Sequence, residues 1–270
     1  MSCGRLELLD REPGSDLAMK RMKRMKRMNY FGRVLICLLL VGAGHRIAVA
    51  EDKEEGVLLP GKGYIEKQGG VQYWVHLPVG YQASEKRWPL ILFLHGGGES
   101  GTDLEQVKKH GIPREIEQGR QLPAIVLAPQ NADPSQLWDD VLLASFLEAQ
   151  LEVLRVDDSR IYLTGLSRGG YGAVRLAVQN PRRFAAVAVM AGGGAVTYMP
   201  WCKETPFWFF HGEADRGVPL SESRRLVDAL RELGAEVKWT SYPGVGHDCW
   251  TQAFSDDRLY DWLFSHRLRD

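Results

Sequence analysis

The stretch Arg160-Ile-Tyr-Leu-Thr-Gly-Leu-Ser167-Arg-Gly-Gly-Tyr-Gly172 decides the fold class of this chain. Its apolar beginning, residues 161–164, is typical of a buried β-strand, and residues 171–180 are typical of a helix. Between them stands a G-x-S-x-G pattern, from Gly165 to Gly169. The sequence therefore predicts a buried strand, a sharp turn that carries Ser167, and a helix, in that order.

This succession of strand, turn and helix is the context that a nucleophile elbow requires. The turn strains the backbone at the serine and crowds the helix against the strand, so the flanking positions must lack side chains. Gly165, Gly169 and Gly170 meet that requirement. The pattern alone is weak, because glycine-rich loops satisfy it by chance, and the alternative is a helix start with Ser167 as its N-cap. In this context we expect Ser167 to be a nucleophile.

Short apolar runs on both sides of this stretch have the composition of strands buried on both faces. They cover residues 90–94, 124–128, 184–190 and 207–210. Between them, apolar residues recur at helical spacing over 143–154 and 226–233. The second helix is expected to have Ser221 as its N-cap and Gly234 as the glycine after its end.

Residues 61–81 indicate a different arrangement, two short strands around Gly69-Gly70 that form an antiparallel hairpin. Strands that alternate with helices predict a mostly parallel sheet with helices on both faces, and the N-terminal hairpin adds antiparallel strands at one edge. The fold class is therefore α/β, and residues 51–270 are expected to form a single catalytic domain.

Two candidate partners for Ser167 follow it along the chain. A serine hydroxyl needs a base to take its proton, and the base needs a carboxylate to fix its tautomer. Asp215 follows the strand 207–210 by a short loop, and His247 lies in a glycine-rich loop after the strand 236–242. Each alone is compatible with loop capping, but together they stand in the order Ser, acid, His that the elbow requires.

Two other acids compete with Asp215 for the role of the acid. Glu213 comes too soon after the strand, and Asp248 is adjacent to the candidate base. We therefore predict a catalytic triad of Ser167, Asp215 and His247. Four other histidines, His76, His110, His211 and His266, are interpreted as structural.

The glycine run His95-Gly-Gly-Gly98-Glu-Ser-Gly101 directly follows the strand 90–94. Backbone N–H groups stabilise a developing oxyanion best where no bulky side chain crowds them. The N–H groups of Gly97 and of Arg168, the residue after the nucleophile, are the two predicted oxyanion-hole donors. The run lacks the ending of a phosphate-binding P-loop and the spacing of a dinucleotide fingerprint, so the sequence predicts no cofactor.

Residues 1–50 differ in kind and are predicted to be an N-terminal extension and a signal peptide. A basic run from Lys20 to Met28 precedes the apolar residues 34–44 and then Ala48-Val-Ala50, the order of an n-region, an h-region and a cleavage site. About eleven apolar residues fall short of the roughly twenty that a spanning helix needs. We expect cleavage after Ala50, a secreted or periplasmic protein, and no membrane span after cleavage.

Cleavage would leave 24 Lys and Arg against 30 Asp and Glu. This mildly acidic balance gives no reason to expect a nucleic-acid partner. Of the four cysteines, Cys202 and Cys249 would remain, and they either form a disulfide or stay two independent small residues. Their spacing does not support a metal site.

With these motifs in place, the chain resembles the α/β-hydrolase superfamily, and within it the phospholipase and carboxylesterase family, which is similar to acyl-protein thioesterases and includes secreted esterases and peptidases. The resemblance covers roughly residue 89 to the C-terminus and implies a Ser, Asp, His triad, no cofactor, and ester or sometimes amide substrates. The segments that carry it are residues 90–101, 128–130 with Trp138, 160–172, 211–219 and 246–250.

Two positions depart from the family pattern. Arg168 stands where many members carry Met or Gln, and its guanidinium either favours acidic substrates or pairs with a neighbouring carboxylate. Cys249 stands where Ser or another small residue is expected, beside the candidate base.

The sequence predicts a serine hydrolase that cleaves carboxylic esters, either small or linked to polysaccharide. The alternatives are a serine peptidase on the same triad and a non-catalytic binding protein on the same scaffold. Trp138, Trp201 and Trp250 either line an aromatic or sugar pocket or anchor their loops. The segment 190–205 is too short for a lid, so we expect an open cleft. Nothing in the sequence indicates the oligomeric state.

Overall fold

The computed structural model describes residues 55–56, 58–65 and 69–268. The expected signal peptide and its cleavage point lie outside these residues. Within them the chain forms one eight-stranded sheet flanked by helices. The strands are β1 (Leu58–Ile65), β2 (Gly69–His76), β3 (Trp88–Leu94), β4 (Ile125–Pro129), β5 (Val156–Leu166), β6 (Ala186–Met190), β7 (Phe207–Gly212) and β8 (Val237–Tyr242). The α-helices are α1 (Gly111–Glu117), α2 (Asp140–Val153), α3 (Arg168–Gln179), α4 (Leu220–Glu232), α5 (Trp250–Ser255) and α6 (Asp257–Ser265), and 3₁₀ segments cover Gly97–Glu99, Leu104–Lys109 and Val196–Cys202.

The strands lie side by side in the order β1-β2-β4-β3-β5-β6-β7-β8. The pairings of β1 with β2 and of β2 with β4 are antiparallel, whereas all neighbours from β4 to β8 are parallel. The prediction of a mostly parallel sheet with an antiparallel hairpin at one edge is confirmed. The hairpin register pairs Ile65 with Gly69 and Tyr64 with Gly70, so the glycine pair expected at the turn lies in β2 instead.

Both faces of the central strands are buried, as their continuous apolar composition predicted. In β3, Leu90, Leu92 and Leu94 pack into one core cluster, and Ile91 and Phe93 into another. Helices α2, α3 and α4 cover the first cluster, and α1, α5 and α6 cover the second. A fully buried side chain of this size stabilises the fold by about 1.5–3 kcal/mol, so the sheet is a rigid platform for the loops at its edges.

The two described cysteines are both free thiols. Cys202 lies in the core cluster on one face of the sheet and Cys249 in the cluster on the other. Burial raises the pKa of each thiol to about 12, so both stay protonated. Of the two possibilities that the sequence left open, the structure has two independent buried residues and no disulfide between them.

The start of α4 corrects one sequence-based prediction. Ser221, expected as the N-cap, lies inside the helix, which begins at Leu220 after Pro219. The proline φ of −57° is already close to a helical value, so the chain enters the helix without a side-chain cap. At the other end Gly234 has a φ of +69°, the left-handed conformation expected after a helix. No helix among the described residues is long and apolar enough to span a membrane.

The predicted site residues lie together at the carboxyl ends of the parallel strands. Because β4 lies on one side of β3 and β5 on the other, the strand order reverses between them. At such a switch point the loops that leave the carboxyl ends of the strands form a crevice, where ligands bind in open α/β sheets. The loop after β3 holds Gly97, and the turns after β5, β7 and β8 hold Ser167, Asp215 and His247.

Candidate active site

Ser167 is held in a strained turn between β5 and α3. Its backbone has φ 52° and ψ −119°, a left-handed conformation that non-glycine residues rarely adopt. A Cβ on Gly165 would lie 2.2 Å from the Gly169 carbonyl oxygen, and one on Gly169 would lie 2.1 Å from that of Leu94. Glycine is therefore required at both positions, because the helix start packs directly against the ends of β5 and β3.

The structure brings Ser167, His247 and Asp215 into one line of hydrogen bonds. Ser167 Oγ lies 2.8 Å from His247 Nε2, and His247 Nδ1 lies 2.7 Å from Asp215 Oδ2. An ionised carboxylate only accepts hydrogen bonds, so Nδ1 carries the ring proton and Nε2 is free to accept from the serine hydroxyl. Ser167 heads α3, yet its hydroxyl makes no capping hydrogen bond to that helix. The serine thus faces a base rather than the helix.

The side chain of Asp215 is fully buried, and both of its carboxylate oxygens accept hydrogen bonds. Oδ1 accepts the backbone N–H groups of Gly217 and Val218, at 2.8 and 2.9 Å, and Oδ2 accepts from His247. Burial opposes ionisation of this carboxyl, but the hydrogen bonds from His247 and from the two backbone groups outweigh it, so the pKa of Asp215 is lowered. The acid is therefore ionised at neutral pH.

The other two acids that the sequence offered point elsewhere. Glu213 accepts a hydrogen bond from Ser241 Oγ at 2.7 Å, and Asp248 is exposed to solvent. Asp215 is the acid whose carboxylate lies against His247. Among the described residues, no group of three or more His, Cys, Asp or Glu side chains is arranged to hold a metal ion.

The loops that carry Asp215 and His247 are joined to each other through the backbone. Glu213 N donates to Tyr242 O at 3.0 Å, and Ala214 N donates to Val245 O at 2.9 Å. The ring of Trp250 packs edge-on against the His247 ring, with centroids 5.0 Å apart and an angle of 82° between the planes. The base keeps about one third of its side chain exposed, so it lies at the surface of the crevice.

His211 was interpreted as structural from the sequence, but it contacts the acid. It is the penultimate residue of β7 and is fully buried, with Nε2 3.3 Å from Asp215 Oδ2. Sequence reasoning missed this contact because only the path of the loop 213–218 brings the carboxylate back over the strand end. His110 lies beside the site, its ring 5.7 Å from that of Trp250. His76 lies in β2, and His266 pairs with Glu236 away from the site.

The two predicted oxyanion-hole donors are each the first residue of a helical segment. Gly97 begins a 3₁₀ segment and Arg168 begins α3. The first N–H groups of a helix have no acceptor within that helix, so both are available to a ligand. The two segments touch, since a Cβ on Gly97 would lie 3.1 Å from the Arg168 guanidinium.

His95 fixes the peptide unit that carries the Gly97 N–H. Its Nδ1 lies 2.6 Å from Gly96 O, and its Nε2 accepts the backbone N–H of Asn131 at 3.0 Å. In a trans peptide the C=O of one residue and the N–H of the next point in opposite directions. Anchoring Gly96 O therefore directs the Gly97 N–H away from His95. Burial, together with the nearby Arg168 charge, lowers the pKa of His95 to about 4, so the ring is neutral.

The side chain of Arg168 donates to backbone carbonyl groups rather than to a neighbouring carboxylate. Its Nη1 donates to the backbone carbonyls of Pro134 and Gln136, at 2.7 and 3.2 Å. The guanidinium thereby fastens the loop after β4 over the start of α3. Its charge also helps to lower the pKa of the nearby Asp133, after the hydrogen bonds from Ser135.

The three tryptophans considered as pocket residues differ in position. Trp138 is buried against His95, and its Nε1 donates to the His95 carbonyl at 3.2 Å, so it anchors a loop. Trp250 is buried behind the base. Trp201 is 62% exposed and stacks on Tyr198, in the segment after β6. That segment packs Met199 and Cys202 into the core, so no lid arises from it.

The fold and the site geometry together define an α/β-hydrolase. An elbow at the switch point of a mostly parallel sheet, with serine, aspartate and histidine in loops at the carboxyl ends of three of its strands, is the organisation of that class. The family model described as "Putative esterase" matches residues 68–236, and the chain belongs to that family.

Several known proteins are similar in sequence to this chain, and two of those described below are named as esterases. The chain is similar to a poly(3-hydroxyoctanoate) depolymerase of Pseudomonas fluorescens, with 34% identity over 40% of this chain and 41% of the relative. It is 27% identical to carboxylesterase SOBER1 of Arabidopsis thaliana, over 58% of this chain and 82% of that protein. A relative named probable feruloyl esterase C, from Aspergillus terreus, is 30% identical over 48% of this chain and 49% of its own length.

Among solved structures, a thermostable esterase superposes with a TM-score of 0.68 and 29% identity. The match covers 78% of this chain and 63% of the esterase chain. The chain thus spans less than two thirds of the length of this esterase and of the depolymerase.

Proposed function

We propose that this chain hydrolyses carboxylic esters through an acyl-enzyme formed on Ser167. The observation that carries the proposal is the unbroken line of hydrogen bonds from Asp215 through His247 to Ser167, with distances of 2.7 and 2.8 Å. Membership of the esterase family supports the ester bond as the target.

In the first half of the reaction, Ser167 Oγ attacks the ester carbonyl carbon while His247 Nε2 takes the hydroxyl proton. Asp215 remains ionised, holds the ring in orientation and stabilises the imidazolium. The tetrahedral intermediate then collapses, the bond to the alcohol oxygen breaks, and His247 returns its proton to the leaving alcohol.

In the second half, a water molecule takes the place of the alcohol. His247 removes a proton from the water, whose oxygen attacks the acyl carbon, and the bond to Ser167 Oγ breaks as the serine regains its proton. The N–H groups of Gly97 and Arg168 donate hydrogen bonds to the carbonyl oxygen as negative charge develops on it in both halves. Because His95 and the elbow set these donors before substrate arrives, no reorganisation is needed when the charge forms.

The substrate class that we propose is a small ester or an ester linked to polysaccharide, including feruloyl esters. The similarity to a relative named as a feruloyl esterase supports this class, as does a base that lies one-third exposed at an open crevice. A polymer-linked acyl group can reach such a base from solvent, since the segment after β6 is packed down into the core.

The test is release of p-nitrophenol from acetate, butyrate and octanoate esters, with the chain run beside Ser167→Ala. We expect the substitution to lower kcat by about a thousandfold or more, because it removes the nucleophile. Ser84→Ala is the matched control. Ser84 lies before the N-terminal end of β3, whereas the site lies at the carboxyl ends of the strands, so we expect this variant to keep full activity.

Three outcomes would contradict the proposal. Turnover that survives Ser167→Ala would place the chemistry elsewhere. Absence of turnover and of labelling by a fluorophosphonate would favour a non-catalytic binding protein, and cleavage of peptide substrates without ester turnover would favour a peptidase.

We also propose that the protein is exported and cleaved after Ala50. The support is the basic run, the apolar run and the Ala-Val-Ala sequence at residues 20–50. Mass measurement of the protein that a bacterial host exports would test this, since retention of the first fifty residues contradicts it.

A further inference from the structure

His211 lies directly beneath the candidate acid, in a pocket made by β7, the loop 213–218 and α4. The ring is fully buried and both of its nitrogens lie within hydrogen-bond distance of neighbours. Each neighbour can act only in certain ways as donor or acceptor, so the protonation of the ring can be worked out nitrogen by nitrogen.

At Nδ1 the neighbour is the hydroxyl of Ser223, 2.8 Å away. The same hydroxyl lies 2.6 Å from the backbone carbonyl oxygen of Gly192. A carbonyl oxygen has no hydrogen, so the single hydroxyl proton of Ser223 must lie between it and Gly192 O. Ser223 therefore has only lone pairs to offer to the ring, and Nδ1 must carry a proton.

At Nε2 the neighbours are two oxygens. The carbonyl oxygen of Val218 lies 3.0 Å away and Asp215 Oδ2 lies 3.3 Å away. A carbonyl oxygen and an ionised carboxylate both only accept, so Nε2 must carry a proton as well. A ring with protons on both nitrogens is an imidazolium, which has a full positive charge.

We propose that His211 is a buried imidazolium that acts as a positioning residue, fixing the Asp215 carboxylate and balancing its charge. This inference rests on the proposed function, because it gives His211 a role in the same reaction. Asp215 Oδ2 then lies between two ring N–H groups, those of His211 and His247, while Oδ1 holds two backbone N–H groups.

The positive charge of His211 balances the negative charge of the buried Asp215 carboxylate. An isolated carboxylate in the protein interior is expensive, and a buried charge is normally paired. In the proposed reaction His247 becomes positive only after it has taken a proton from serine or water, so in the resting enzyme it does not neutralise Asp215. His211 supplies a counter-charge in the resting enzyme, next to the same carboxylate oxygen that His247 contacts.

The other ionisable groups around the pair do not compete for this role. Burial raises the pKa of Tyr171, on α3, and of Cys249, before α5, to about 12 each, so both are neutral. Glu222, on α4, is occupied by hydrogen bonds from Tyr171 and Arg225. On the β8 side the neighbour is the uncharged ring of Trp239, 6.5 Å from that of His211.

The protonation is tested directly by NMR of the 270-residue chain labelled with ¹⁵N-histidine. In that spectrum we expect the His211 ring to show two N–H cross-peaks at pH 7. Ser223→Ala, which removes the acceptor at Nδ1, identifies the residue because it shifts one of those two peaks. A single ring N–H on the residue so identified overturns the proposal, whatever the enzyme activity is.

The positioning role is tested by kinetics of His211→Gln, with His266→Gln as the matched control. The control also removes a histidine next to a carboxylate, Glu236, but away from the site. In His211→Gln we expect kcat to fall about tenfold, as expected when one charge-assisted hydrogen bond is lost, with KM little changed. The acid limb of the kcat/KM profile should move to higher pH, because the unbalanced Asp215 charge holds a proton on His247.

These outcomes separate this inference from the proposed function. Activity that depends on Ser167, with the same pH profile in His211→Gln as in the unchanged chain, overturns the role of His211 alone. Absence of any ester turnover overturns the proposed function, and the NMR result then still decides the charge of His211.

Discussion

Asp215 is the residue on which the candidate site depends most, because its carboxylate joins the loop to His247. One oxygen accepts two backbone N–H groups of the loop, and the other accepts the ring N–H of His247. Replacing it by asparagine keeps the shape but removes the negative charge. The amide can also turn its NH₂ toward His247 Nδ1, which favours the ring tautomer that cannot accept the serine proton.

We therefore expect Asp215→Asn to lower kcat for a p-nitrophenyl ester by roughly three to four orders of magnitude. Circular dichroism should show an intact fold. Asp158→Asn, which removes an exposed partner of Arg87, is the control and should leave kcat unchanged. A loss of less than about tenfold in Asp215→Asn would exclude this residue as the acid.

His95 supports a second prediction at this scale, since it orients the Gly96–Gly97 peptide without touching the substrate. His95→Phe keeps the ring volume and removes the hydrogen bonds to Gly96 O and Asn131 N. We expect kcat to fall about tenfold to a hundredfold, less than the loss of a whole oxyanion-hole donor, with KM little changed. Unchanged kcat, measured beside His266→Gln, would show that the Gly97 N–H is held by other contacts.

The difference between what could and could not be predicted is clear from single histidines. His247 could be predicted as a candidate base because the fold fixes the order of serine, acid and base along the chain. His211 could not, because its importance comes from three partners, Ser223, Val218 and Asp215, that only the folded chain brings around it. Periodicity and motif spacing describe strands and turns, but they do not describe which side chains meet beyond a strand end.

At the scale of elements, the turn between β5 and α3 sets the strictest steric requirement. The Gly169 carbonyl oxygen, which a Cβ on Gly165 would meet at 2.2 Å, belongs to the backbone and cannot move without displacing the helix start. We expect Gly165→Ala to lower the free energy of unfolding by about 3 kcal/mol or more, as measured by urea titration.

Gly98→Ala is the matched control for that prediction, since a Cβ on Gly98 would meet no atom within 4 Å. Its urea midpoint should stay close to that of the unchanged chain. Equal stability of the two variants would mean that α3 can shift away from β5 at little cost, contrary to the packing described here.

The elements themselves followed from the sequence with small differences at their ends. The central strands were predictable because short, continuous apolar runs are typical of strands that are buried on both faces of a parallel sheet. The N-terminus of α4 was not, because Pro219 and Ser221 are both acceptable at a helix start and the choice depends on the loop that delivers Asp215. In β5 the strand extends back to Val156, where it pairs with Trp88 across an irregularity that no pattern indicates.

At the scale of the whole molecule, the central sheet separates the two described thiols. Cys202 and Cys249 are buried on opposite faces, so neither can reach the other or a reagent without unfolding. We expect no labelling of either thiol by Ellman's reagent in the native state and complete labelling in urea. The melting temperature should be the same with and without dithiothreitol, and a decrease on reduction would indicate a disulfide.

Acid should destabilise the whole fold through carboxylates that are ionised in it. Burial opposes ionisation of Asp157, but hydrogen bonds from Ser159 and Arg160 outweigh it and lower its pKa below the ordinary 3.8. Asp215 is shifted in the same direction. A lowered pKa in the folded state stabilises the fold fully above the unfolded value, and that contribution is lost as pH falls through the folded value.

The urea midpoint is therefore expected to decrease below about pH 6, because the unfolded chain protonates His95 while the folded chain, with a pKa of about 4, does not, and to fall more steeply below about pH 4 as these carboxylates are protonated. Asp157→Asn should make that fall less steep, because the variant lacks a carboxylate that acid would protonate. Protonation of Asp157 also weakens its ion pair with Arg267, which joins β5 to the C-terminal segment. A midpoint that rises on acidification would contradict the direction of these shifts.

The site residues lie far apart in the sequence, so the return of enzyme activity during refolding reports when the last strands have joined the sheet. Ser167 and His247 are eighty positions apart, and the hydrogen bond between them requires β6, β7 and β8 to be added in succession to the edge of β5. Contacts between residues so distant in sequence form late, because the loop must close before they stabilise anything. When the denatured chain is diluted into buffer, recovery of secondary structure should therefore precede recovery of turnover, and the interval between them measures how long the last strands take to dock.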